Sequence, residues 1–145
     1  MMDIVTIVEI KKDPKTIWEV LTDFQRYPEW NSLYLSIHGK FEVKKKLSLR
    51  VKLGDMGPLP VKVEILKIDP LKEIRWVGKV ITGALFQGEH YVQIKPVQPG
   101  ITAVVTGEQF SGLLDFIIMP LVVEPRIKPA FEKFNRELKA RCESI

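Results

Sequence analysis

Residues 33–53 read LYLSIHGKFEVKKKLSLRVKL, and their spacing decides the fold. Leu47, Leu49, Val51 and Leu53 alternate with Lys46, Ser48, Arg50 and Lys52. A period of two belongs to a β-strand, whose successive side chains point to opposite faces. One apolar face and one charged face mark an antiparallel strand with a single wet side. The first half of the stretch repeats the pattern. Leu35, Ile37, Gly39, Phe41 and Val43 form one face, and Tyr34, Ser36, His38, Lys40 and Glu42 form the other. This phasing sends Tyr34 and His38 to solvent. Lys44-Lys45-Lys46, between the two runs, reads as a solvated turn.

Downstream, Gly54 to Pro60 holds two glycines and two prolines and reads as a loop. Val61, Val63 and Ile65 resume the alternation. It then shifts phase to Leu66 and Ile68, which predicts a bulge near Ile65. Asp69-Pro70 turns the chain, and Ile74, Trp76, Gly78 and Val80 make the next inward face, against Arg75 and Lys79 outside. Two further strands follow, Phe86–Val97 and Ile101–Phe110. Upstream, Asp3 to Lys11 reads as a strand. Asp13-Pro14 supplies a cap and a first helical position, and Ile17, Val20, Leu21 and Phe24 recur at helical spacing. Tyr27-Pro28-Glu29-Trp30 opens a second short helix. After Pro125, the residues Ile127, Phe131, Phe134, Leu138 and Cys142 step by three or four and form one apolar stripe, opposite Lys133, Arg136, Glu137 and Lys139. The expected architecture is α+β: an antiparallel sheet of about seven strands, two short helices after the first strand, and a long C-terminal helix over the dry face. A strongly curved sheet around one helix leaves a cavity between them.

Composition narrows the function. The 145 residues predict one domain over 1–145. Lys plus Arg is 22 against 18 for Asp plus Glu, a net charge of only +4, and the lysines are spread through alternating strands. That is not the gathered basic face of a nucleic-acid binder. A single cysteine, Cys142, allows no internal disulfide and fits a reducing compartment. Two histidines far apart and one cysteine supply no zinc site, and no cofactor motif is visible. Pro58 removes a donor from any phosphate cradle at Gly54 to Gly57. Met1-Met2-Asp3-Ile4 has no basic leader region. The longest apolar stretch, Leu113 to Val123, is broken by Asp115 and Pro120 and falls short of the ~20 residues a bilayer span needs. A cytoplasmic protein without stable membrane insertion is expected.

Several segments carry a family resemblance. They are Ile17-Trp18-Glu19-Val20-Leu21-Thr22-Asp23, Tyr27-Pro28-Glu29-Trp30-Asn31, Gly88-Glu89-His90, Thr106-Gly107-Glu108-Gln109-Phe110-Ser111-Gly112-Leu113 and Phe131-Glu132-Lys133-Phe134-Asn135-Arg136-Glu137-Leu138-Lys139. With the element order, they resemble the START-like, or polyketide cyclase/dehydrase (SRPBCC), superfamily over nearly the whole chain. The resemblance implies a helix-grip fold with a mostly apolar ligand cavity under the long helix. It does not fix a function, since the superfamily includes lipid carriers and aromatic cyclases alike.

His90 shares an inward face with Phe86, Val92 and Ile94, and the next strand offers Thr102, Val104, Thr106, Glu108 and Phe110. Both faces point inward only where paired residue numbers sum to an even number. Such a register sets His90 opposite Thr106 or Glu108. A desolvated His–Glu pair can orient a ligand carbonyl or act as an acid–base, and it can equally be a buried pair that satisfies itself. The candidate ligand-binding residues are Trp30, Trp76, His90, Thr106, Glu108, Phe110, Ile127, Phe131 and Phe134. Met56 and Leu59, on a lid loop, and Phe116 and Ile117, on an apolar gate, are placed at the cavity mouth. Only His90 and Glu108 are inward ionisable groups, which is thin equipment for catalysis. The reading is therefore binding or carriage of a small hydrophobic molecule, such as a lipid, an isoprenoid or a polyketide-like compound. The alternative is a cyclase/dehydrase-type enzyme using His90 and Glu108. For Leu113–Val123 the order of expectation is entrance gate, then homodimer contact, then transient membrane contact.

Overall fold

In the computed structural model the period-two segments pair into one seven-stranded antiparallel sheet, ordered β1-β7-β6-β5-β4-β3-β2. The strands are β1 (Met2–Ile10), β2 (Tyr34–Gly39), β3 (Lys46–Leu53), β4 (Met56–Asp69), β5 (Glu73–Val80), β6 (Phe86–Gln98) and β7 (Ile101–Ser111). The structure describes residues 2–80 and 82–145, and the backbone alone of Val80, Val122 and Val123. Met1 of the N-terminal reading, and the last two side chains of the gate reading, lie outside it. Helix α1 (Pro14–Thr22) and a 3₁₀ helix (Phe24–Glu29) carry the chain from β1 to β2, the two edges of the sheet. Helix α2 (Asp115–Ile118), a π-helical turn (Met119–Val123) and helix α3 (Glu124–Glu143) follow β7.

The dry face of the sheet is curved around α3. Leu47, Leu49, Val63, Ile65, Val92, Ile94 and Val104 are buried beneath Phe131, Phe134, Leu138 and Cys142 of α3. A polar chain fixes the helix there. The Asn135 amide donates to Thr6 Oγ1 at 2.8 Å, Thr6 Oγ1 donates to the Thr106 carbonyl at 2.7 Å, and Thr106 Oγ1 donates to Asn135 Oδ1 at 2.7 Å. All three residues are buried, so their polar groups are satisfied only by one another and by the backbone.

Several sequence readings need correction. Asp13 stands at the N-cap of α1, but its carboxylate accepts the Gly100 N–H at 3.1 Å and tethers the β6–β7 turn instead of the helix. The second short helix ends at Glu29, with Pro28 inside it. Asn31 then organises the exit: its amide donates to the Tyr27 carbonyl at 2.6 Å, and its Oδ1 accepts from the Leu33 and Tyr34 N–H groups at 3.1 and 2.7 Å. Tyr34 is buried, against the expectation that it faces solvent. The β2–β3 register shifts between Tyr34 and Ser36, and this one-residue bulge turns both Tyr34 and Ile37 inward. The bulge predicted near Ile65 is present, as a register shift between Ile65 and Lys67.

Gly54 to Pro60 is not a loop. Gly54, at φ +62°, and Asp55 make a tight turn, and Met56 already pairs with Leu53. Pro58 and Pro60 are tolerated because β5 pairs with β4 from Val63 to Asp69, so this end of β4 has outrun its second neighbour. Leu113–Val123 is likewise not a separate element. Its helical part runs without a break into α3, and the π turn accommodates Pro120. The Leu121 carbonyl, which the N–H-less Pro125 cannot reach, accepts from Arg126 Nη1 at 3.1 Å.

Candidate functional site

Between the sheet and the helical arm lies a cavity of about 300 Å³. That is the lower end of the ~300–1,000 Å³ usual for small-molecule sites. Its walls follow from strand parity. Leu49, Val51, Val63 and Trp76 come from the inward positions of β3, β4 and β5, and Phe86 and Phe110 come from β6 and β7. Ile118, Ile127 and Phe131 close it from the helical side. Phe86 and Phe110 stack with ring centres 5.7 Å apart and planes 17° from parallel, forming one flat wall. Trp76 and His90, paired across β5 and β6, form a second stack at 5.0 Å and 26°.

Three polar side chains meet in this apolar setting. His90, 4% exposed, lies directly opposite Glu108 in the β6–β7 register. Its Nε2 is 3.3 Å from the Tyr34 hydroxyl. Its Nδ1 is buried and makes no hydrogen bond; Glu108 Oε1 stands 3.5 Å away, within ion-pair reach but without the alignment of a bond. Burial, and then the charge of Glu108 and the neighbouring Tyr27, push the Tyr34 hydroxyl well above the ordinary phenol range. With a carboxylate oxygen 3.5 Å from Nδ1, the tautomer that sets a donor against that acceptor carries the ring hydrogen on Nδ1, and the protonated Tyr34 hydroxyl then donates to Nε2. The order across the site is Tyr34, His90, Glu108.

Gly88 makes room for the carboxylate. A Cβ at that position would lie 2.1 Å from Glu108 Oε2 and 3.1 Å from the Phe110 ring. Gly78 also lines the cavity, with only ordinary contacts around the place a Cβ would take.

Of the residues singled out in the sequence, Trp76, His90, Glu108, Phe110, Ile127 and Phe131 line the cavity. Three others do not. Trp30 packs between Tyr27 and Phe134, with ring centres 4.9 and 5.3 Å away, and faces a separate surface groove beside Arg26 and Arg141. Phe134 is turned against Tyr34, Tyr27 and Trp30. The Thr106 hydroxyl is committed to Asn135. None of the four residues expected at the mouth is in the lining: Met56 and Leu59 belong to a paired strand, and Phe116 and Ile117 are exposed, while their neighbour Ile118 lines the cavity. Tyr34 was missed because the bulge inverts its phase. The adjoining Asn31, which fixes the entry to β2, was the available signal.

No metal-holding cluster of His, Cys, Asp or Glu occurs among the described residues, and no helix there is long and apolar enough to cross a membrane.

The family model for polyketide cyclase/dehydrase and lipid transport matches residues 1–143. No curated protein sequence matches the chain. Solved structures share its fold at low identity. The Zhui aromatase/cyclase from Streptomyces sp. R1128 is 12% identical over 98% of this chain and 93% of that one, with a TM-score of 0.74. A START superfamily protein from Mycobacterium smegmatis is 19% identical over 98% and 97%, with a TM-score of 0.70. The Aha1 dimer from Colwellia psychrerythraea is 19% identical over 99% and 97%, with a TM-score of 0.69.

Proposed function

The chain belongs to the polyketide cyclase/dehydrase and lipid transport family, and on that premise we propose that it is a single ligand-binding unit that holds a small, largely apolar molecule in the cavity under α3. The observation that supports this most is the cavity itself, about 300 Å³ of mostly apolar and aromatic surface with its few polar groups gathered at one place. Burying apolar surface there contributes roughly 25 cal/mol per Å². The polar cluster of Tyr34, His90 and Glu108 orients the ligand's one polar end. Ile118 flanks the way in, with Phe116, Ile117 and Leu121 outside it as a gate or as a contact for a second copy.

Native mass spectrometry of the freshly purified protein tests the reading. A co-purified small molecule, displaced when Gly78→Phe fills the cavity, is the expected result. A protein that arrives empty and takes up no apolar probe sinks it.

A second reading, a cyclase/dehydrase-type enzyme, has one observation in its favour. The row Tyr34–His90–Glu108 holds an imidazole between a proton donor and a carboxylate, an arrangement suited to moving a proton at a substrate carbonyl. A rate with a bell-shaped pH profile, abolished in His90→Ala, would move the assignment to this reading.

A further inference from the structure

His90 presents an imbalance that the cavity reading alone leaves unexplained. Its Nε2 has Tyr34, while its Nδ1 is buried and makes no hydrogen bond. Leaving a buried polar atom unmatched costs more than an average hydrogen bond returns. The nearest acceptor, Glu108 Oε1, is 3.5 Å away, and Glu108 has no hydrogen bond of its own among the described residues. One buried donor without a hydrogen bond and one partly exposed carboxylate therefore stand side by side at the wall of an apolar cavity. The backbone is shaped to keep them so, since any side chain at position 88 would occupy the place of Glu108 Oε2.

The group that satisfies both at once must accept from Nδ1–H and donate to a carboxylate oxygen through one small atom. A hydroxyl does this. A ketone or ether offers nothing to Glu108, and an anionic carboxylate meets it with like charge. We propose that the cavity selects ligands carrying an alcohol or phenol hydroxyl, which bridges His90 Nδ1 and the Glu108 carboxylate. This rests on the ligand-binding reading above. The two stacked aromatic pairs, Trp76 with His90 and Phe86 with Phe110, favour a flat body behind that hydroxyl.

Four probes of similar shape separate the claims: naphthalene, 2-naphthol, 2-methoxynaphthalene and 2-naphthoate, titrated by fluorescence or calorimetry. The expected result is that 2-naphthol binds about tenfold or more tighter than each of the others, the scale of a hydrogen bond to a charged group. That preference should fall to about onefold in Glu108→Met, while naphthalene affinity is kept. If Glu108→Met does not fold, Gly88→Ala, which displaces the same carboxylate, is read in the same way. Equal binding of naphthalene and 2-naphthol would overturn the proposal and leave the cavity reading standing. A 2-naphthol preference that survives loss of Glu108 would also overturn it, because the hydroxyl would then be held elsewhere. If none of the four binds, both readings fall.

Discussion

Asn135 and His90 show two ways of burying a polar side chain. Asn135 closes a circuit with Thr6 and Thr106 and needs nothing from outside. His90 closes only one side, at Tyr34. The difference is not visible in the sequence, where Thr106 and Glu108 are equivalent inward positions on the same strand. Register decides between them: Thr106 faces Val92, and Glu108 faces His90. Gly88 is the residue that holds this arrangement open. In Gly88→Ala the new methyl meets no backbone: it meets the flexible end of the Glu108 side chain, which can swing away, and the edge of the Phe110 ring at 3.1 Å, which must give by a few tenths of an ångström. We expect denaturant unfolding to show a stability change within about 1 kcal/mol, since removing a glycine's freedom offsets part of the crowding. A collapse of several kcal/mol would show instead that Glu108 is fixed in place.

At the scale of elements, the helical arm after β7 divides sharply by side. Met119 is 1% exposed, while Phe116 is 70% and Leu121 67% exposed. Met119→Ala should cost ~2–5 kcal/mol by opening a hole in the core, whereas Phe116→Ser and Leu121→Ser should each change stability by about 0.5 kcal/mol or less. Thermal or urea unfolding of the three variants checks this. A large loss in Phe116→Ser would mean that the outer side is covered in solution. The sequence shows this stretch as apolar all round, and Pro120 reads as a stop. Neither cue reveals that a π turn lets the backbone run on into α3. The same limit applies at Met56–Pro60, where glycine and proline suggest a loop and pairing with β3 makes a strand. Propensity describes the isolated segment, and the sheet's neighbours overrule it. Where alternation is unbroken, as from Lys46 to Leu53, burial follows the sequence residue by residue.

Across the whole molecule, the two faces of the sheet are built from different materials. The concave face is nearly dry. The convex face carries a charged lattice over three strands, in which Glu73 on β5 accepts from Lys67, Arg75 and Gln93 at 2.8, 2.6 and 3.0 Å. Arg75 extends it to Glu89 at 2.7 Å and lies over the Tyr91 ring. Burial alone would raise the Glu73 pKa, but the bonds from Lys67, Gln93 and Arg75 outweigh it and hold the carboxyl at about 2, below its usual 4.5. A carboxyl with a lowered folded pKa gives stability that is fully present above the unfolded value. That share, ~2 kcal/mol, should be lost as pH falls from about 4.5 toward 2. Glu73→Gln should flatten this part of the stability–pH curve, as read by urea unfolding at stepped pH. An unchanged acid limb would place the acid-sensitive groups elsewhere. The cavity walls were legible because inward parity carries across β5, β6 and β7. Tyr34 was not, because the bulge beside it inverts its phase.

The pairing of β1 with β7 also imposes a timetable. Met2 meets Phe110, and Ile10 meets Thr102, so β1 has its partner only after about a hundred further residues have been made. Until then β1 is an unmatched edge, and α3, which roofs the cavity, is later still. Contacts this distant along the chain slow folding, because a long loop must close before they form. On the ligand-binding reading proposed above, a molecule held in the cavity would therefore be captured by finished protein and not by a growing chain.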